Sequence, residues 1–463
     1  MTSASSRPAA GTKRFVVRPG RPLRGKARVP GDKSIGHRAL LFGALAEGTS
    51  IVRGLSGGLD NASTAGAFAK MGARYEIEGT TARVEGVGLE GLRMPDGALD
   101  CGNSGTTMRL IAGVLAAQRF GTRLIGDESL TRRPMRRVVE PLRARGAHIA
   151  GVRGEKEGEH YPPLSVAPLV EGERLTGIEV RTEVASAQVK SALLLSGLWA
   201  DGPTAVAEPT LSRDHTERML VALGAPLEAF GAMCVLDPSR WQKRRLPAFE
   251  WSVPGDLSSA AFLIAAAALV PGSEIEIEGV GVNPTRTGLL DALRGMRAGL
   301  DVIPRGDAAG NEPVATLAAR QAALSPTRIG GELIARMIDE VPVFAALATA
   351  AAGRTEIRDA EELRVKESDL ISAMAGVLRA FGADAVELQD GLTIHGGRPL
   401  RAAHVRSHGD HRIAMSAVIL GLVADGETRV DDVACVDTSF PGFAALLRSL
   451  GADVREEVVH DAS

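Results

Sequence analysis

The sequence has few cysteines and no dominant charge, and both scarcities exclude classes of protein. Cys101, Cys234 and Cys435 are isolated and form no CxxC pair, so disulfides and a structural zinc site are not expected. This pattern indicates a reducing, cytoplasmic compartment. The formal net charge of −2 argues against a nucleic-acid partner bound through a global basic field. Charged residues are therefore expected to act at individual sites and not through the net charge of the protein.

Several familiar motifs are also missing. No GxGxxG opens a strand–helix–strand unit and no HExxH occurs, so the usual dinucleotide and zinc-protease signatures are absent. The segment GRPLRGKA from Gly20 nearly matches a phosphate-binding P-loop, but Ala27 cannot ligate magnesium. The first 14 residues lack an apolar core, which favours a disordered tail or a short transit remnant over a secretory signal.

Long apolar runs are present but broken by charge, which argues against a membrane partner. The basic residues that interrupt four of the runs are Lys33, Arg38, Arg109, Lys190 and Arg412. The uninterrupted stretches are shorter than a membrane span. We therefore expect these runs to form helices that are buried in protein on every side.

One phrase returns six times along the chain. Each copy has a polar or glycine-rich opening, a run of Ala, Leu, Ile and Val, a glycine, and a β-like segment. The closing glycines are Gly48, Gly121, Gly202, Gly272, Gly353 and Gly426, at spacings of 73, 81, 70, 81 and 73 residues. Such self-similarity predicts six copies of one supersecondary unit.

A second, more amphipathic segment follows in each copy and ends at another glycine. These glycines are Gly72, Gly146, Gly224, Gly299, Gly382 and Gly451. Glycine after a helical pattern adopts the left-handed C-cap conformation without a Cβ penalty, so each of them predicts a helix end. The predicted unit is therefore strand, helix, strand, helix, strand, with a buried first helix.

Polar residues at the openings of the buried helices are the first candidates for function. They are Lys33, Ser34, Ser186, Gln188, Asp339, Asp410, His411 and Arg412. A helix N-terminus exposes backbone N–H groups and carries partial positive charge, so it attracts anions. These openings suit a phosphorylated, polyhydroxylated ligand, and ordinary helix capping is the alternative for any single Ser or Asp.

A repeated phrase marks a boundary between two halves. VPGD occurs at Val29 and again at Val253, 224 residues apart, where the first and fourth copies open. Three units per half predict two similar domains. We expect residues 29–252 to form one domain, and residues 253–463 to form the other together with residues 1–28. Two chain crossings would then permit hinge closure over a ligand in the interdomain cleft.

Cations lie within the apolar or glycine-rich copies: Lys33, Arg38, Arg109, Arg133, Lys366 and Arg412. Buried cations need anions, so either internal carboxylates or an anionic substrate must neutralise them. Asp339, Asp410 and Glu367 are the internal candidates. The adjacent Arg132 and Arg133 follow a loop and favour a phosphate clamp over an internal ion pair.

Nine phrases carry a resemblance to a known family. In chain order they are GDKSIGHRALL, DCGNSGTTMRL, GDESLTRRPM, ASAQVKSALLL, SRDHTERML, LIARMIDEVPV, ELRVKESD, GDHRIAMS and DTSFPGF. The same order occurs in the 5-enolpyruvylshikimate-3-phosphate (EPSP) synthases, the 3-phosphoshikimate 1-carboxyvinyltransferases of aromatic amino-acid biosynthesis. The resemblance covers about residues 15–455 and looks most like the bacterial class II group.

The resemblance implies a fold and a reaction. The fold is α/β, with two inside-out α/β domains built from six βαβαββ repeats with buried helices. In the reaction, the 5-hydroxyl of shikimate 3-phosphate attacks C2 of phosphoenolpyruvate while C3 is protonated, and the adduct then loses phosphate. No metal or organic cofactor is implied. Family precedent indicates a monomer whose partners are these two substrates.

Family roles transfer to matching residues of this sequence. Those expected on the shikimate 3-phosphate side, in residues 29–252, are Lys33, Ser34, Arg38, Ser186, Ala187, Gln188 and Arg213. Those expected around phosphoenolpyruvate are Lys33, Gly105, Arg133, Lys366 and Arg412. Asp339 matches the carboxylate that takes the proton from the 5-hydroxyl, and Glu367 matches the residue that shuttles the proton at C3. Asp339, Glu367 and Lys33 form the predicted catalytic set. The domain of residues 253–463 with 1–28 is expected to supply the phosphoenolpyruvate and acid/base side.

Two positions bear on ligand affinity. The family continues KESD with an Arg that contacts the phosphoenolpyruvate carboxylate, whereas this chain has Leu370, so a contact typically worth about 1.5–3 kcal/mol is expected to be missing. Gly105 has no Cβ to crowd glyphosate, which competes for the phosphoenolpyruvate site in this family. Gly105 therefore predicts that the enzyme is sensitive to glyphosate. Leu370 predicts the opposite, because the missing Arg would have bound a carboxylate of the inhibitor as well.

Two alternative functions remain open from the sequence. One is the sister enzyme that transfers enolpyruvyl to UDP-N-acetylglucosamine, whose loop carries a reactive Cys where this chain has DESLTRRPM. The other is a catalytically weakened paralogue that acts as a binding protein, which Leu370 favours.

Overall fold

The computed structural model describes residues 12–154, 157–366 and 368–459. Among them, the α-helices are α1 (Lys33–Leu45), α2 (Leu59–Lys70), α3 (Gly105–Leu115), α4 (Glu128–Thr131), α5 (Arg136–Ala144), α6 (Ala187–Gly197), α7 (His215–Ala222), α8 (Leu257–Leu269), α9 (Gly288–Gly295), α10 (Glu332–Ala335), α11 (Val341–Ala348), α12 (Leu370–Ala380), α13 (His411–Gly421) and α14 (Phe443–Ser449). Short 3₁₀ segments span Pro238–Arg240, Ala309–Asn311, Glu361–Val365 and Ala434–Thr438.

The strands of the first half of the chain are β1 (Thr12–Arg18), β2 (Arg24–Ala27), β3 (Ala46–Arg53), β4 (Arg74–Glu78), β5 (Thr81–Val87), β6 (Leu99–Asp100), β7 (Thr122–Ile125), β8 (Ile149–Arg153), β9 (His160–Val166), β10 (Ile178–Arg181), β11 (Thr204–Ala207), β12 (Leu227–Phe230) and β13 (Met233–Leu236). Those of the second half are β14 (Leu246–Pro247), β15 (Glu250–Ser252), β16 (Glu274–Gly281), β17 (Gly299–Ala308), β18 (Glu312–Arg320), β19 (Arg328–Ile329), β20 (Gly353–Ile357), β21 (Asp384–Leu388), β22 (Gly391–Gly396), β23 (His404–Arg406), β24 (Thr428–Asp431) and β25 (Asp453–Val459).

The strands form six sheets with one shared topology. In the sheet ordered β6-β7-β9-β8, the strand before the buried helix α3 runs parallel to the strand after it, and an antiparallel hairpin completes the sheet. Two other sheets, β10-β11-β13-β12 and β19-β20-β22-β21, repeat this arrangement. The remaining three have the same order of parallel and antiparallel pairs but include strands from distant parts of the chain. The unit is therefore βαβαββ, and the expected α/β fold of six repeats is confirmed. The residue pattern alone had predicted one strand too few, because the hairpin after each second helix was counted as one strand.

Strands from distant parts of the chain complete three of the sheets. The N-terminal strand β1 pairs antiparallel with both β24 and β25, and β2 pairs parallel with β16. Likewise, β14 and β15 pair parallel with β3, about two hundred residues earlier in the chain. The leader around residues 13–28 thus joins the sheets of the C-terminal half.

Buried apolar residues form two separate clusters. One runs from Ile35 to Val253, and the other combines Phe15 to Val29 with Leu257 to Val454. Helix α8, which is almost all Ala, Leu, Ile and Phe, is buried along nearly its whole length. The two clusters support the predicted domains, residues 29–252 and residues 253–463 with 1–28, and the boundaries themselves stay a prediction.

The two crossings between the halves lie side by side. Gly31 and Gly255 form an antiparallel bridge, the Asp32 N–H donates to the Pro254 carbonyl at 2.8 Å, and the Asp256 N–H donates to the Pro30 carbonyl at 2.9 Å. A Cβ on Gly31 would lie 1.7 Å from the carbonyl oxygen of Gly54, so only glycine fits there. The repeated VPGD phrase therefore forms a reciprocal backbone bridge where the chain passes between the halves.

The predicted helix ends are correct in five of six copies. The backbone φ is positive at Gly72, Gly146, Gly224, Gly382 and Gly451. The prediction is wrong for Gly299, which begins β17; Arg297, with φ of 59°, has the left-handed conformation after α9. Among the described residues, every helix is too short or too polar to span a bilayer.

Candidate active site between the two halves

Five of the six buried first helices among the described residues begin with a side-chain cap, and α11 is the exception. The side chains of Asp32, Ser104, Ser186, Asp256 and Asp410 each accept a hydrogen bond from a backbone N–H two or three residues further on. Such caps fix the first turn of each helix. Predicted site residues on these first turns are Lys33, Ser34, Gly105, Ala187, Gln188 and Arg412.

Asp339 is the carboxylate at the centre of a group of cations. The Arg213 guanidinium donates to its Oδ2, Arg412 Nη2 lies 3.0 Å from its Oδ1, and Lys366 Nζ lies 3.7 Å from the same oxygen. Burial acts to raise the pKa of Asp339, but the charges of Lys366, Arg213 and Arg412 outweigh it and hold the pKa well below its usual value. The carboxylate is therefore ionised, and it draws cations from both halves to one point.

Lys33, the first residue of α1, also bridges the halves. Its Nζ lies 2.9 Å from Asp60 Oδ2 and donates to Ser439 Oγ at 3.3 Å. Burial acts to raise the pKa of Asp60, but the ammonium of Lys33 lowers it overall. Asp60 thus fixes the ammonium group at the start of α1, where an anion could contact it.

Arg38 points into the protein at the same helix start. It is 3% exposed and donates from Nε to Thr216 Oγ1 at 2.6 Å, from Nη1 to the Ser34 carbonyl at 2.9 Å, and from Nη2 to Ser191 Oγ at 2.8 Å. Burial lowers the pKa of Arg38 to about 10. These contacts make it a support for Ser34, and its direct contact with a ligand stays a prediction.

Gly105 lies beside two arginines at the start of α3. A Cβ there would be 2.7 Å from Arg109 Nη1 and 3.3 Å from Arg133 Nη1. Arg133 donates to Asn103 Oδ1 and, at 3.3 Å, to Ser129 Oγ. The absence of a side chain at Gly105 therefore leaves room for both guanidinium groups.

The start of α6 connects to the same arginines. Arg109 Nη1 donates to Gln188 Oε1 at 2.7 Å, and Gln188 Nε2 donates to Thr106 Oγ1 at 2.9 Å. Ser186 caps α6, and Ala187 is its first residue. The predicted residues Gly105, Gln188 and Arg133 thus lie in one neighbourhood. Two further predicted residues contact each other, since Arg213 Nη1 donates to Ser34 Oγ at 3.5 Å.

A buried arginine lies behind Asp339 at the crossings. Arg286 Nη1 is 3.5 Å from Asp32 Oδ2, and its Nη2 is 3.1 Å from Asp256 Oδ1 and 3.5 Å from Glu340 Oε1. Burial raises the pKa of Asp256 to about 6, with the charge of Asp32 adding to the effect. The Arg286 guanidinium therefore connects the N-cap residues of α1 and α8 to Glu340, the neighbour of Asp339.

Asp214, His215 and Glu312 have the composition of a metal site, with ligand atoms within 4.8 Å of one another. Protein donors already fill the carboxylates: His215 Nδ1 lies 2.6 Å from Glu312 Oε1, and Asn283 Nδ2 donates to both Asp214 and Glu312. These contacts join residues of the two halves. The cluster is therefore better explained as a connection between the halves than as a cation site.

Two predicted positions lie in or directly after the KESD segment, Glu367 and Leu370. Glu367, predicted to be catalytic, lies outside the described residues. Leu370 is the first residue of α12 and is 1% exposed, within the apolar cluster around Val341, Pro342 and Leu363. Position 370 therefore faces the core, and an Arg there would have to leave it to reach a substrate.

Several residues around the site were not assigned roles from the sequence. Arg109 appeared among the cations of the repeats, and the phrase DCGNSGTTMRL could have identified it. Asp60, Glu208 and Arg286 stand in ordinary charged segments without a motif, so no sequence signal pointed to them.

With this geometry established, comparison with known proteins decides the family. The family model described as EPSP synthase (3-phosphoshikimate 1-carboxyvinyltransferase) matches residues 17–447. This chain belongs to the EPSP synthase family. It is 49% identical to the 3-phosphoshikimate 1-carboxyvinyltransferase of Geotalea uraniireducens, over 94% of this chain and 99% of that protein. It is 51% identical to that of Geobacter sulfurreducens, over 93% of this chain and 97% of that protein.

The solved structures agree with the EPSP synthase family. A structure of EPSP synthase from Acinetobacter baumannii superimposes with a TM-score of 0.85 at 40% identity, covering 96% of this chain and all of that one. The resemblance drawn from nine short phrases is therefore confirmed over nearly the whole chain, and so is the fold class. The roles of individual residues stay predictions.

Proposed function

We propose that this chain transfers the enolpyruvyl group of phosphoenolpyruvate to the 5-hydroxyl of shikimate 3-phosphate and releases phosphate, a step of chorismate and aromatic amino-acid biosynthesis. The family match over residues 17–447 carries the proposal. The convergence of Arg213, Lys366 and Arg412 on Asp339 supports it, because two anionic substrates require cations from both sides of one cleft.

The shikimate 3-phosphate side is assigned to the half formed by residues 29–252. The groups proposed to bind this substrate are Lys33, Ser34, Arg38, Ser186, Ala187, Gln188 and Arg213. Helix starts at α1 and α6 present N–H groups and positive dipole ends to a phosphate. Arg213 and Ser34 are in contact at 3.5 Å, so both can act on one ligand.

The phosphoenolpyruvate side is assigned to Arg133, Lys366 and Arg412, with Lys33 and Lys366 near both substrates. Guanidinium groups bind phosphate and carboxylate in a bidentate manner, which suits Arg133 and Arg412 to this ligand. Gly105 leaves the space beside Arg133 open.

Two proton transfers complete the proposed reaction. Asp339 takes the proton of the 5-hydroxyl while the hydroxyl oxygen bonds to C2 of phosphoenolpyruvate. Glu367 delivers a proton to C3 of the same molecule. Loss of phosphate from the tetrahedral adduct then accompanies return of a C3 proton to Glu367 and transfer of the proton on Asp339 to the departing phosphate, so protons balance over the cycle. The strongly ionised Asp339 becomes a better base when anionic substrates draw Arg213, Lys366 and Arg412 away from it.

The remaining expectations belong to the same proposal. The chemistry requires no metal or organic cofactor, and the protein is expected to act as a cytoplasmic monomer. Its partners are its two substrates, with no nucleic acid and no membrane among them.

A phosphate-release assay tests the proposal. Phosphate should appear only when shikimate 3-phosphate and phosphoenolpyruvate are both present, with the enolpyruvyl product seen by mass spectrometry. Release with UDP-N-acetylglucosamine in place of shikimate 3-phosphate would favour the sister reaction. Binding of shikimate 3-phosphate without turnover would favour a weakened paralogue and overturn the proposal.

A further inference from the structure

A buried charge cluster lies behind the α6 start. Lys190 Nζ is 2.8 Å from Glu208 Oε2 and 2.8 Å from Glu217 Oε1, and the three side chains are 2%, 0% and 6% exposed. Burial acts to lower the pKa of Lys190, but the two carboxylates raise it overall, so the ammonium stays charged. Buried charges persist only when paired, and here one ammonium serves two carboxylates.

Glu208 does more than pair with Lys190. Its Oε1 accepts a hydrogen bond from the Ser186 N–H at 2.7 Å, and its Oε2 accepts from the Ser212 N–H at 3.2 Å and the Ser212 hydroxyl at 2.8 Å. With Lys190, four donors surround this carboxylate, three of them at Oε2 and one at Oε1. Hydrogen bonds to an ionised acceptor are the strong ones, so both backbone segments are held firmly.

Those two segments carry the shikimate 3-phosphate residues of the proposed site. Ser186 caps α6 and leads into Ala187 and Gln188, while Ser212 is followed directly by Arg213. They come from different places along the chain and meet at one side chain. We infer that Glu208 is a positioning residue that sets the α6 start and the Arg213 segment relative to each other for binding of shikimate 3-phosphate.

Glu217 provides a matched control within the same cluster. It is as buried as Glu208 and lies at the same distance from Lys190. It donates nothing to and accepts nothing from Ser186 or Ser212, and its Oε2 has no hydrogen-bond partner among the described residues. Lys190 also donates to the Ser212 carbonyl at 3.4 Å. Loss of either carboxylate therefore weakens the Lys190 cluster, but of the two carboxylates only Glu208 bonds both segments directly.

The inference rests on the proposed function for the identity of the ligand, and kinetics test it. Glu208→Gln should raise KM for shikimate 3-phosphate about tenfold or more, because it weakens hydrogen bonds to a charged group. KM for phosphoenolpyruvate should stay within about threefold, since Glu208 contacts none of the groups assigned to that substrate. We expect a smaller fall in kcat beside the rise in KM, because Arg213 also contacts Asp339. Glu217→Gln should leave all three constants within about threefold. Equal changes in the two variants, or a fall in kcat alone, would overturn the inference.

Amide hydrogen exchange gives a readout that needs no substrate. In Glu208→Gln, peptides covering residues 183–190 and 209–214 should exchange faster, and in Glu217→Gln they should match the parent protein. Absence of phosphate release by the parent protein would count against the proposed function, while the exchange comparison would still decide the role of Glu208. If Glu208→Gln does not fold, Ser212→Ala is the substitute, because it removes the hydroxyl that donates to Glu208. It should raise KM for shikimate 3-phosphate by a smaller factor, and an unchanged KM would overturn the inference.

Discussion

Arg213 and Asp339 form an ion pair that joins the two hydrophobic clusters. They lie 126 residues apart in the chain, and each also contacts a residue predicted to bind a substrate: Arg213 contacts Ser34, and Asp339 contacts Arg412. The same carboxylate therefore couples the geometry of both substrate sides. A change at Asp339 is expected to affect the reaction more than the stability of either half.

Removal of the acid/base carboxylates should abolish turnover with little effect on binding. Asp339→Asn and Glu367→Gln keep the shape of each side chain but not its ionisable group, so kcat should fall by about 10²-fold or more. Calorimetric titration should still detect binding of shikimate 3-phosphate. Glu361→Gln, an exposed acid nearby, is the control and should retain kcat. Near-normal turnover in Asp339→Asn would remove that residue from the mechanism.

A methyl group at Gly105 should reduce glyphosate binding more than substrate binding. An alanine Cβ would come within 2.7 Å of Arg109 Nη1 and 3.3 Å of Arg133 Nη1, so both guanidinium groups must shift. We expect Gly105→Ala to raise the inhibition constant for glyphosate several times more than KM for phosphoenolpyruvate. The helical Gly376, which has open space around a Cβ, provides the control: Gly376→Ala should change neither constant. Equal increases in both constants for Gly105→Ala would argue against a steric cause.

Introduction of the family arginine at position 370 should destabilise this chain. The contact that Leu370 lacks predicts, from the sequence, that Leu370→Arg tightens the binding of phosphoenolpyruvate and glyphosate. The side chain is 1% exposed among apolar residues, so a guanidinium there would be buried without a partner or would force α12 to shift. We now expect a loss of about 2–4 kcal/mol in the free energy of unfolding, measured with denaturant.

Leu370→Met is the control for this substitution, because a volume-conserving apolar change usually costs less than about 1.5 kcal/mol. A Leu370→Arg protein of unchanged stability with tighter binding of both ligands would show that the side chain reaches the cleft, as the sequence suggested.

The repeats and the helix starts were accessible from the sequence because both are local. Glycines such as Gly146 and Gly382 end helices through their own backbone conformation, and apolar periodicity reports burial directly. The error at Gly299 has a local cause as well. Helix α9 ends at Gly295, so the left-handed position after its cap falls on Arg297 rather than on a glycine.

The contacts that organise the site depend on how distant segments pack. Nothing near Glu208 in the chain indicates that its carboxylate meets Ser186 and Ser212, and Arg286 shows no motif. The inward orientation of Leu370 follows from the packing of α12 on α11, which spacing alone does not reveal. Sequence reasoning therefore proposed residues that contact substrate, but it gave no signal for those that hold them in place.

A buried carboxylate at the crossings should make stability depend on pH in a defined direction. Asp256 caps α8, accepts from the Ser258 N–H at 2.9 Å, and lies 3.1 Å from Arg286. Burial raises its pKa from 3.8 to about 6, so between these values the folded protein holds a proton that the unfolded chain has lost. The contribution of Asp256 is therefore fully present below about pH 4 and is lost as the pH rises to about 6.

Asp256→Asn tests this sign, because asparagine also caps a helix and stays neutral at every pH. Arg286 keeps Asp32 and Glu340 as partners in the variant. Relative to the parent, the free energy of unfolding of Asp256→Asn should rise by about 2 kcal/mol between pH 4 and pH 7.5. Asp237→Asn, at a partly exposed cap with the same two-residue geometry, separates the effect of exchanging a capping carboxylate for an amide from the effect of removing a buried charge. A difference between Asp256→Asn and the parent that is constant across this range, or that falls with pH, would show that Asp256 is ionised in the folded protein throughout.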